Sequence, residues 1–292
     1  MSIFNLGSIN IDYVYRVEHL PRPGETVADI GYASGLGGKG VNQSIAAALA
    51  GARVHHIGVV GADGGWIVER LIAAGIDVSN VQEVEGVTGH AIVCVDAHAE
   101  NLIIVHGGAN RGLTMAQIDR ALVQAGPSDW FLTQNETNMS AEGFAIAKAR
   151  GLKTAYAAAP FDAAAAAGLV GLVDLLAVNE VEAAQLAAHL GMAAEALPVP
   201  ELLVTLGARG ARYQAGELVC EVAAFAVDPV DTTGAGDTFL GSFLAARDGG
   251  AGPEAALRQA SAAAALQVTR PGAADAIPTA AEVSAFLRER ST

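Results

Sequence analysis

A run of small and polar residues in the last quarter of the chain has the composition of a site that holds an anion during group transfer. Asp231-Thr232-Thr233-Gly234-Ala235-Gly236-Asp237 leads directly into a predicted helix. Glycine and alanine there let three successive backbone N–H groups point at one spot, where the helix dipole favours negative charge. Asp237 would either cap this helix or accept a hydroxyl proton beside the anion. The second possibility predicts phosphoryl transfer to an alcohol.

A second glycine-rich run, Gly35-Leu36-Gly37-Gly38-Lys39-Gly40, contains one of only three lysines and also precedes a predicted helix. It matches Gly-x-Gly-x-x-Gly, but it follows the third predicted strand and has no acidic residue about 20 positions on, which disfavours dinucleotide binding. It is not a Walker A loop, because Ala33 stands six residues before Lys39 and Gly40 follows it. A glycine-rich turn with a solvated Lys39 remains an alternative.

Two further loops follow predicted strands, which is where parallel sheets bind their ligands. Asn179 and Glu182 open a helix, so Asn179 is suited to a phosphate and Glu182 to a metal-bound water. An N-cap asparagine with acidic residues in the first turn explains the same pattern. The loop Thr205-Leu206-Gly207-Ala208-Arg209-Gly210 is short enough to admit a flat nucleotide base, although an ordinary turn has the same composition.

The elements that must position these loops alternate between helix and strand from residue 112 onward. That order is typical of a right-handed, mostly parallel βαβ sheet. Residues 13–20 and 25–34 alternate around Pro21–Gly24, which predicts a half-exposed hairpin, and residues 88–106 contain two more strands without a helix between them. These early segments are expected to form a small accessory sheet.

The overall composition excludes several classes of partner. The 292 residues include 17 basic and 31 acidic side chains, a formal net charge of −14. Duplex nucleic acid and anionic membrane surfaces are therefore disfavoured, whereas a few local donors can still hold a small anion. No apolar run is long enough to span a bilayer, and the first ten residues lack the basic segment of a secretory signal. We expect a cytoplasmic protein.

Taken in order along the chain, these segments resemble the ribokinase-like (PfkB-type) carbohydrate kinases. The resemblance extends from Leu6–Asp12 to Val268–Ala273, and the run Asp231–Asp237 is specific to the family. The run around Lys39, together with Asn10, Asp12 and Gly107-Gly108-Ala109-Asn110, resembles the ribokinase branch more than the fructose- or nucleoside-phosphorylating branches.

The resemblance implies an ATP-dependent transferase that phosphorylates the primary (5-) hydroxyl of D-ribose. It implies a three-layer α/β/α fold with a mostly parallel central sheet and a small β-sheet lid. The large nucleotide- and substrate-binding domain would comprise residues 1–12, 35–87 and 107–292, and the lid residues 13–34 and 88–106. Sugar, ATP, Mg²⁺ and K⁺ are the implied ligands, and a homodimer through the lid is the implied assembly.

The resemblance also assigns roles to individual positions. The residues matching those that hold the sugar hydroxyls are Asn10, Asp12, Gly38, Lys39, Asn42 and Glu136. Asp237 matches the catalytic base, and Gly234, Ala235 and Gly236 match the anion hole. The nucleotide region is matched by Asn179, Thr205, Gly207, Gly210 and Ser261, with Glu182 holding Mg²⁺ through water. Asp231, Thr233, Arg270 and Gly272 match a loop that binds a monovalent cation.

Three positions depart from the family pattern. Residues 191–200 are short where relatives have an extra helix. Ser261 replaces a His or Asn near the adenine, and Ala276 replaces a serine that helps hold the cation. Two alternatives stay open: a kinase for another acceptor, such as deoxyribose, fructose or pseudouridine, and a non-catalytic sugar-sensing protein. The intact Asp237 disfavours the sensor.

Overall fold

The computed structural model describes residues 1–98 and 100–290, which form two sheets and the helices around them. Residues 99, 291 and 292, which fall within the predicted lid and large domain, lie outside the described residues. The strands are β1 (Ser2–Leu6), β2 (Asn10–Arg16), β3 (Gly31–Gly37), β4 (Arg53–Val60), β5 (Asp77–Glu83), β6 (Gly89–Val95), β7 (Asn101–His106), β8 (Trp130–Gln134), β9 (Lys153–Ala157), β10 (Leu175–Asn179), β11 (Glu201–Thr205), β12 (Ala211–Ala215) and β13 (Leu218–Val222). The helices are α1 (Lys39–Leu49), α2 (Gly65–Ala73), α3 (Met115–Ala121), α4 (Ser140–Ala149), α5 (Ala163–Leu169), α6 (Glu180–Leu190), α7 (Ala235–Asp248), α8 (Pro253–Val268) and α9 (Ala280–Glu289).

The larger sheet has nine strands in the order β13-β12-β11-β10-β9-β8-β1-β4-β5. The strands from β11 to β5 pair in parallel, and only β12 and β13 are antiparallel. Buried side chains of α1, α2, α7 and α8 form the core on one face, and those of α3 to α6 form the core on the other. The predicted three-layer α/β/α fold with a mostly parallel sheet is confirmed.

The second sheet has four strands in the order β3-β2-β6-β7. Strand β2 pairs with β3 antiparallel and with β6 parallel, and β6 pairs with β7 antiparallel. The predicted strand at 25–34 is correct only from Gly31 onward, because residues 17–30 are irregular and mostly exposed, with no sheet face to bury. The sequence also did not predict β5, an edge strand of the large sheet.

Helices α1 and α7 approach each other closely, and this contact sets up the site. A Cβ at Gly241 of α7 would lie 2.6 Å from both the Cβ of Ala46 and the backbone O of Gln43, so only glycine fits. The contact brings the first turns of the two helices side by side, and with them the two glycine-rich runs. Between α6 and β11, where the sequence is short, the structure has a single 3₁₀ turn at Ala194–Ala196. Within the described ranges, none of the helices combines the length and apolarity needed to cross a membrane.

Candidate active site

Asp237 lies in the first turn of α7 with only 8% of its surface exposed. Asn42 Nδ2 donates to its Oδ2 at 3.1 Å, and Gln43 Nε2 donates to its Oδ1 at 2.9 Å. Burial raises the pKa of Asp237, while Lys39 and the two amide hydrogen bonds act in the opposite direction. The carboxylate is therefore held by α1. Asp237 is not the N-cap of α7, which is Gly234, but as an acidic residue in the first turn it also faces the positive end of the helix dipole.

The N-terminus of α7 faces a cleft of about 210 Å³. Gly234 has φ 75°, a left-handed conformation that glycine adopts at no steric cost. The first N–H groups of a helix have no partner inside the helix, and Ala235, Gly236 and Asp237 line this cleft. An anion in the cleft would meet backbone donors and the positive end of the helix dipole next to a carboxylate.

The residues predicted to hold an acceptor come together on the other side of Asp237. Glu136 Oε2 accepts hydrogen bonds from the backbone N–H of Lys39 at 2.9 Å and from the hydroxyl of Ser8. Lys39 follows Gly38, the N-cap of α1, and lines the same cleft as Asp237. The first turn of α1 thus joins the carboxylate of Glu136 to that of Asp237.

Asn10 and Asp12 reach this region from β2. Asn10 Oδ1 accepts from Asn110 Nδ2 at 2.7 Å, which fixes the orientation of the Asn10 amide. Burial, together with the negative charge of Glu136, raises the pKa of Asp12 to about 6, although the positive charge of Lys39 opposes this. Two acidic side chains and an amide therefore converge where a polyhydroxylated ligand would need acceptors and donors.

A second cavity, of about 580 Å³, adjoins the cleft. Thr205, Ala235 and Gly236 line both spaces, so the two lie side by side. Four of the predicted nucleotide residues, Thr205, Gly207, Gly210 and Ser261, line the larger cavity. Its apolar wall also includes residues that the sequence did not identify: Ala224, Phe225, Val227, Pro229, Ala264 and Ala265. They come from an irregular segment and from one face of α8, and neither carries a motif.

Asn179 and Glu182 form a capping box at the start of α6. Asn179 Oδ1 accepts from the backbone N–H of Glu182 at 2.9 Å, and Glu182 Oε2 accepts from that of Asn179 at 2.8 Å. The alternative explanation, an N-cap asparagine with acidic residues in the first turn, is therefore confirmed. Both side chains also line the cleft in front of α7, so the capping box presents them to it.

The loop predicted to bind a monovalent cation closes on itself. Asp231 accepts from the backbone N–H groups of Thr233 and Gly272, both at 2.9 Å. Burial raises the pKa of Asp231, but hydrogen bonds from the side chain and backbone of Thr233 and from the backbone of Gly272 more than offset it and hold the pKa below its ordinary value. Gln267 Nε2 donates to the carbonyl of Thr233 at 2.9 Å, and the Arg270 side chain turns away to pair with Glu282 at 2.7 Å.

Gln43 is a site residue that the sequence did not single out. It stands next to Asn42 in the glycine-rich run, and its amide makes the shorter of the two hydrogen bonds to Asp237. The sequence signal that could have identified Gln43 was its position directly after Asn42, near the start of α1. Among residues 1–98 and 100–290, no group of three or more His, Cys, Asp or Glu side chains is arranged to hold a metal ion.

The whole chain is similar to known carbohydrate kinases. Residues 2–280 match the model of the pfkB family of carbohydrate kinases. The ribokinase of Haemophilus influenzae is 35% identical over 297 residues, with 97% of each chain covered. The ribokinase of Bacillus subtilis is 36% identical over 290 residues, covering 97% of this chain and 98% of the relative.

Solved structures give the same result. The ribokinase of Thermotoga maritima superimposes with a TM-score of 0.89 at 31% identity, and 99% of both chains are covered. The ribokinase of Arabidopsis thaliana, solved in complex with ribose and ATP, has a TM-score of 0.84 at 28% identity, with 98% of both chains covered. This chain belongs to the pfkB family of carbohydrate kinases.

Proposed function

We propose that this protein is an ATP-dependent ribokinase, which transfers the terminal phosphoryl group of ATP to the 5-hydroxyl of D-ribose. The observation that carries the proposal is the buried Asp237 carboxylate, held by two amides of α1 beside the open N-terminus of α7. A base next to an anion site is what phosphoryl transfer to an alcohol requires. The similarity to relatives named ribokinase supports ribose as the acceptor.

Asp237 acts as the base in this proposal. Its carboxylate takes the proton of the ribose 5-hydroxyl as the new oxygen–phosphorus bond forms and the bond from phosphorus to the leaving ADP oxygen breaks. Phosphoryl transfer passes through a loose transition state, so positioning and charge stabilisation matter more than base strength. The hydrogen bonds from Asn42 and Gln43 supply the positioning, since they leave the carboxylate one orientation in which both oxygens are bonded.

The anion hole consists of the backbone N–H groups at Gly234, Ala235 and Gly236. All three residues line the cleft that Lys39 also lines. The N–H of Ala235 donates to the carbonyl of Thr232 at 3.2 Å and would exchange that hydrogen bond for one to the anion. Lys39 adds one full positive charge at that point. A chain with a net charge of −14 thus handles a polyphosphate through backbone groups and a single lysine.

The sugar is held by Asn10, Asp12, Gly38, Lys39, Asn42 and Glu136 in this proposal. Carboxylates and amides accept from and donate to neighbouring hydroxyls, and Asn10, Asn42 and Glu136 are already oriented by the protein. Asn110 fixes Asn10, and the N–H of Lys39 fixes Glu136. A furanose with its 5-hydroxyl at Asp237 would present its remaining hydroxyls to this group.

The nucleotide occupies the 580 Å³ cavity, with its base near Ser261 between Gly207, Gly210 and the apolar wall. Mg²⁺ bound to the phosphates would neutralise charge that develops during transfer. Magnesium keeps most of its waters and takes few protein ligands. Glu182, whose second oxygen is not used by the capping box, fits that requirement at the edge of the cleft, and Asn179 beside it is suited to a phosphate.

A monovalent cation such as K⁺ fits the loop of Asp231, Thr233, Arg270 and Gly272 through backbone carbonyls. Asp231 is the negative charge of this loop, and its pKa lies below the ordinary value. A carbonyl oxygen has two lone pairs, so the carbonyl of Thr233 can accept from Gln267 and still face a cation. Ala276 contributes no side-chain oxygen, which removes one ligand that relatives supply.

The four-stranded sheet acts as a lid over the sugar in this proposal, and the same sheet forms a homodimer contact. Every residue of β7 is exposed, and Leu102, Ile103, Ile104 and Val105 are between 37% and 57% exposed. An exposed apolar edge strand is a site for strand pairing or for burial against another chain. Since the reaction consumes ATP, we propose the cytoplasm as its site of action.

The test is a coupled assay of ADP release with a panel of acceptors, each with and without K⁺. Ribose is expected to give the highest kcat/KM, ahead of deoxyribose, fructose and pseudouridine. Another acceptor with a higher kcat/KM would replace ribose as the substrate. Binding of ribose without ADP release from any acceptor would instead favour the sugar sensor.

A further inference from the structure

A chain of buried polar side chains lies behind Asp237, between α1 and the large sheet. It runs through His56 on β4, Ser44 on α1, Asn5 on β1, Gln134 on β8 and Gln43 on α1. None of these side chains is more than 2% exposed. Burying so many polar groups is costly unless each is hydrogen-bonded, so the order of donors and acceptors along the chain is constrained.

The order is set at the far end by a backbone carbonyl. His56 Nε2 lies 3.2 Å from the carbonyl oxygen of Gly7, which can only accept, so Nε2 carries the proton. Burial lowers the pKa of His56 to about 4, against the hydrogen bond to Gly7, and the ring is neutral at physiological pH. Nδ1 must then accept, and the hydroxyl of Ser44 donates to it at 2.8 Å.

The direction passes from Ser44 to Asn5. Having donated its only proton to His56, the Ser44 oxygen accepts from Asn5 Nδ2 at 2.8 Å. The same nitrogen donates to the carbonyl of Gly40, also at 2.8 Å. Two acceptors therefore hold the NH₂ group of Asn5, and its Oδ1 faces Gln134.

Gln134 transmits this orientation to the residue that touches Asp237. Its Nε2 donates one hydrogen to Asn5 Oδ1 at 2.9 Å and the other to Gln43 Oε1 at 2.7 Å. Its own Oε1 is buried without a hydrogen-bond partner among the described residues. The NH₂ group of Gln134 thus donates two hydrogen bonds, while its oxygen accepts none from the described residues. With Oε1 directed at Gln134, Gln43 can present only its NH₂ group to Asp237.

We propose that Gln134 is a positioning residue for the reaction, which acts by orienting Gln43 as a hydrogen-bond donor to Asp237. The chain through Asn5, Ser44 and His56 holds Gln134 in the one orientation that does this. The inference rests on the proposed role of Asp237 as the base. A flipped Gln43 amide would place an oxygen against the carboxylate, which would favour the protonated, inactive form of Asp237.

The charged groups that face Asp237 lie outside the hydrogen-bonded series that runs from His56 to Gln43. Lys39 lies on α1, Glu136 lies in the segment after β8, and Glu182 of α6 lines the same cleft. Replacing Gln134 with methionine changes none of these charges. A change in the titration of Asp237 would therefore report the loss of the Gln43 donor.

The experiment compares Gln134→Met with a matched control, Gln117→Met. Gln117 on α3 is 1% exposed, donates from Nε2 to the carbonyls of Gly58 and Asn80 at 2.9 Å, and also has an unpaired Oε1. Two measurements are made as a function of pH: kcat/KM for ribose, and the ¹³C chemical shift of the Asp237 carboxyl, assigned by comparison with Asp237→Asn. The second measurement needs no turnover, so a wrong acceptor would appear as an inactive wild-type protein whose carboxyl still titrates.

Gln134→Met is expected to move the acid limb of kcat/KM and the carboxyl titration to higher pH by about 0.5–1 unit, because a carboxylate that loses a donor binds its proton more tightly. Gln117→Met is expected to move neither. Asn5→Val, which suits a strand, is the second variant and is expected to shift both by about half as much; it decides the question alone if Gln134→Met does not fold. A carboxyl titration that stays at its wild-type pH, or that moves as far in Gln117→Met, would overturn the proposal.

Discussion

The acceptor end and the nucleotide end of the candidate site are lined by different kinds of residue. The acceptor end is made of charged and amide side chains, and several of these are fixed by hydrogen bonds from α1, from β8 and from Asn110. The nucleotide end is a 580 Å³ cavity whose wall is mostly alanine, glycine and a few apolar residues such as Phe225 and Val227. Ligand binding at the acceptor end depends on the donor and acceptor atoms of its side chains. Ligand binding at the nucleotide end depends on the size and shape of the cavity.

This difference teaches how each end selects its ligand. A site that hydrogen-bonds several hydroxyls discriminates strongly, because an analogue that lacks one hydroxyl leaves a buried polar group unpaired. An apolar cavity lined by small residues discriminates by size and shape, and each contact is weak. Substitutions at the acceptor end are therefore expected to cost more than substitutions at the nucleotide end.

The largest effect is expected from Asp237→Asn. Loss of the base is expected to lower kcat by about 10²–10⁴-fold, since general-base assistance is worth that much. Asparagine keeps the size of the side chain, so ribose affinity is expected to change little. Stopped-flow or steady-state ADP release gives kcat, and calorimetry gives the ribose Kd. Equal losses in turnover and in ribose affinity would contradict a role as base.

Lys39→Ala is expected to have the next largest effect. Removing the positive charge of Lys39 from the cleft is expected to lower kcat/KM for ATP by about 10²-fold, as for other positioned donors at a developing charge. The matched control is Lys148→Ala. Lys148 pairs with Asp174 at 3.2 Å on the surface, neither residue lines the cleft, and such pairs contribute little. Similar kcat/KM values for the two variants would mean that Lys39 is merely solvated.

Part of the acceptor end could be predicted from the sequence, because Gly38, Lys39, Asn42 and Asp237 lie in two short runs at helix starts. Asp237 and Lys39 could be recognised there, as could the βαβ order that brings two helix N-termini together. The role of Gln43 could not, because it depends on Gln134 and Asn5, which come from two other strands. Nothing local in the sequence indicates that these side chains meet.

The nucleotide end was less predictable for a physical reason. Its wall consists largely of small residues, and the sequence does not indicate which of the many alanines of this protein face a cavity. Phe225 and Val227 lie in an irregular segment without a periodic pattern. The capping box of Asn179 and Glu182 shows the converse, since one pattern serves the helix and also faces the cleft.

Asp12→Asn is expected to weaken ribose binding and to stabilise the protein. Loss of a charged acceptor is expected to raise KM for ribose about 10–50-fold. Burial and Glu136 raise the pKa of Asp12 to about 6 in the folded protein, above about 3.9 in an unfolded chain. Ionisation of Asp12 therefore opposes folding, and this cost grows as pH rises from about 4 to about 6.

The stability gain of Asp12→Asn should accordingly be about 3 kcal/mol at pH 8 and only about 0.5 kcal/mol near pH 4. Thermal unfolding of both proteins without ligands, at the two pH values, measures it. A gain of the same size at both pH values would show that the charge of Asp12 is not its source.

The smallest effect is expected at the nucleotide end, from Ala264→Leu. Ala264 lines the 580 Å³ cavity from α8, and leucine there would take space that the base needs. KM for ATP is expected to rise about 10-fold, in line with a loss of one or two apolar contacts, while kcat and KM for ribose stay near wild type. Ala255→Leu, on the exposed side of the same helix, introduces the same side chain outside the cavity and is expected to change none of these values. If Ala264→Leu instead raised KM for ribose as strongly as KM for ATP, the two ends would not be separable, and the contrast between a side-chain site and a space-defined site would fail.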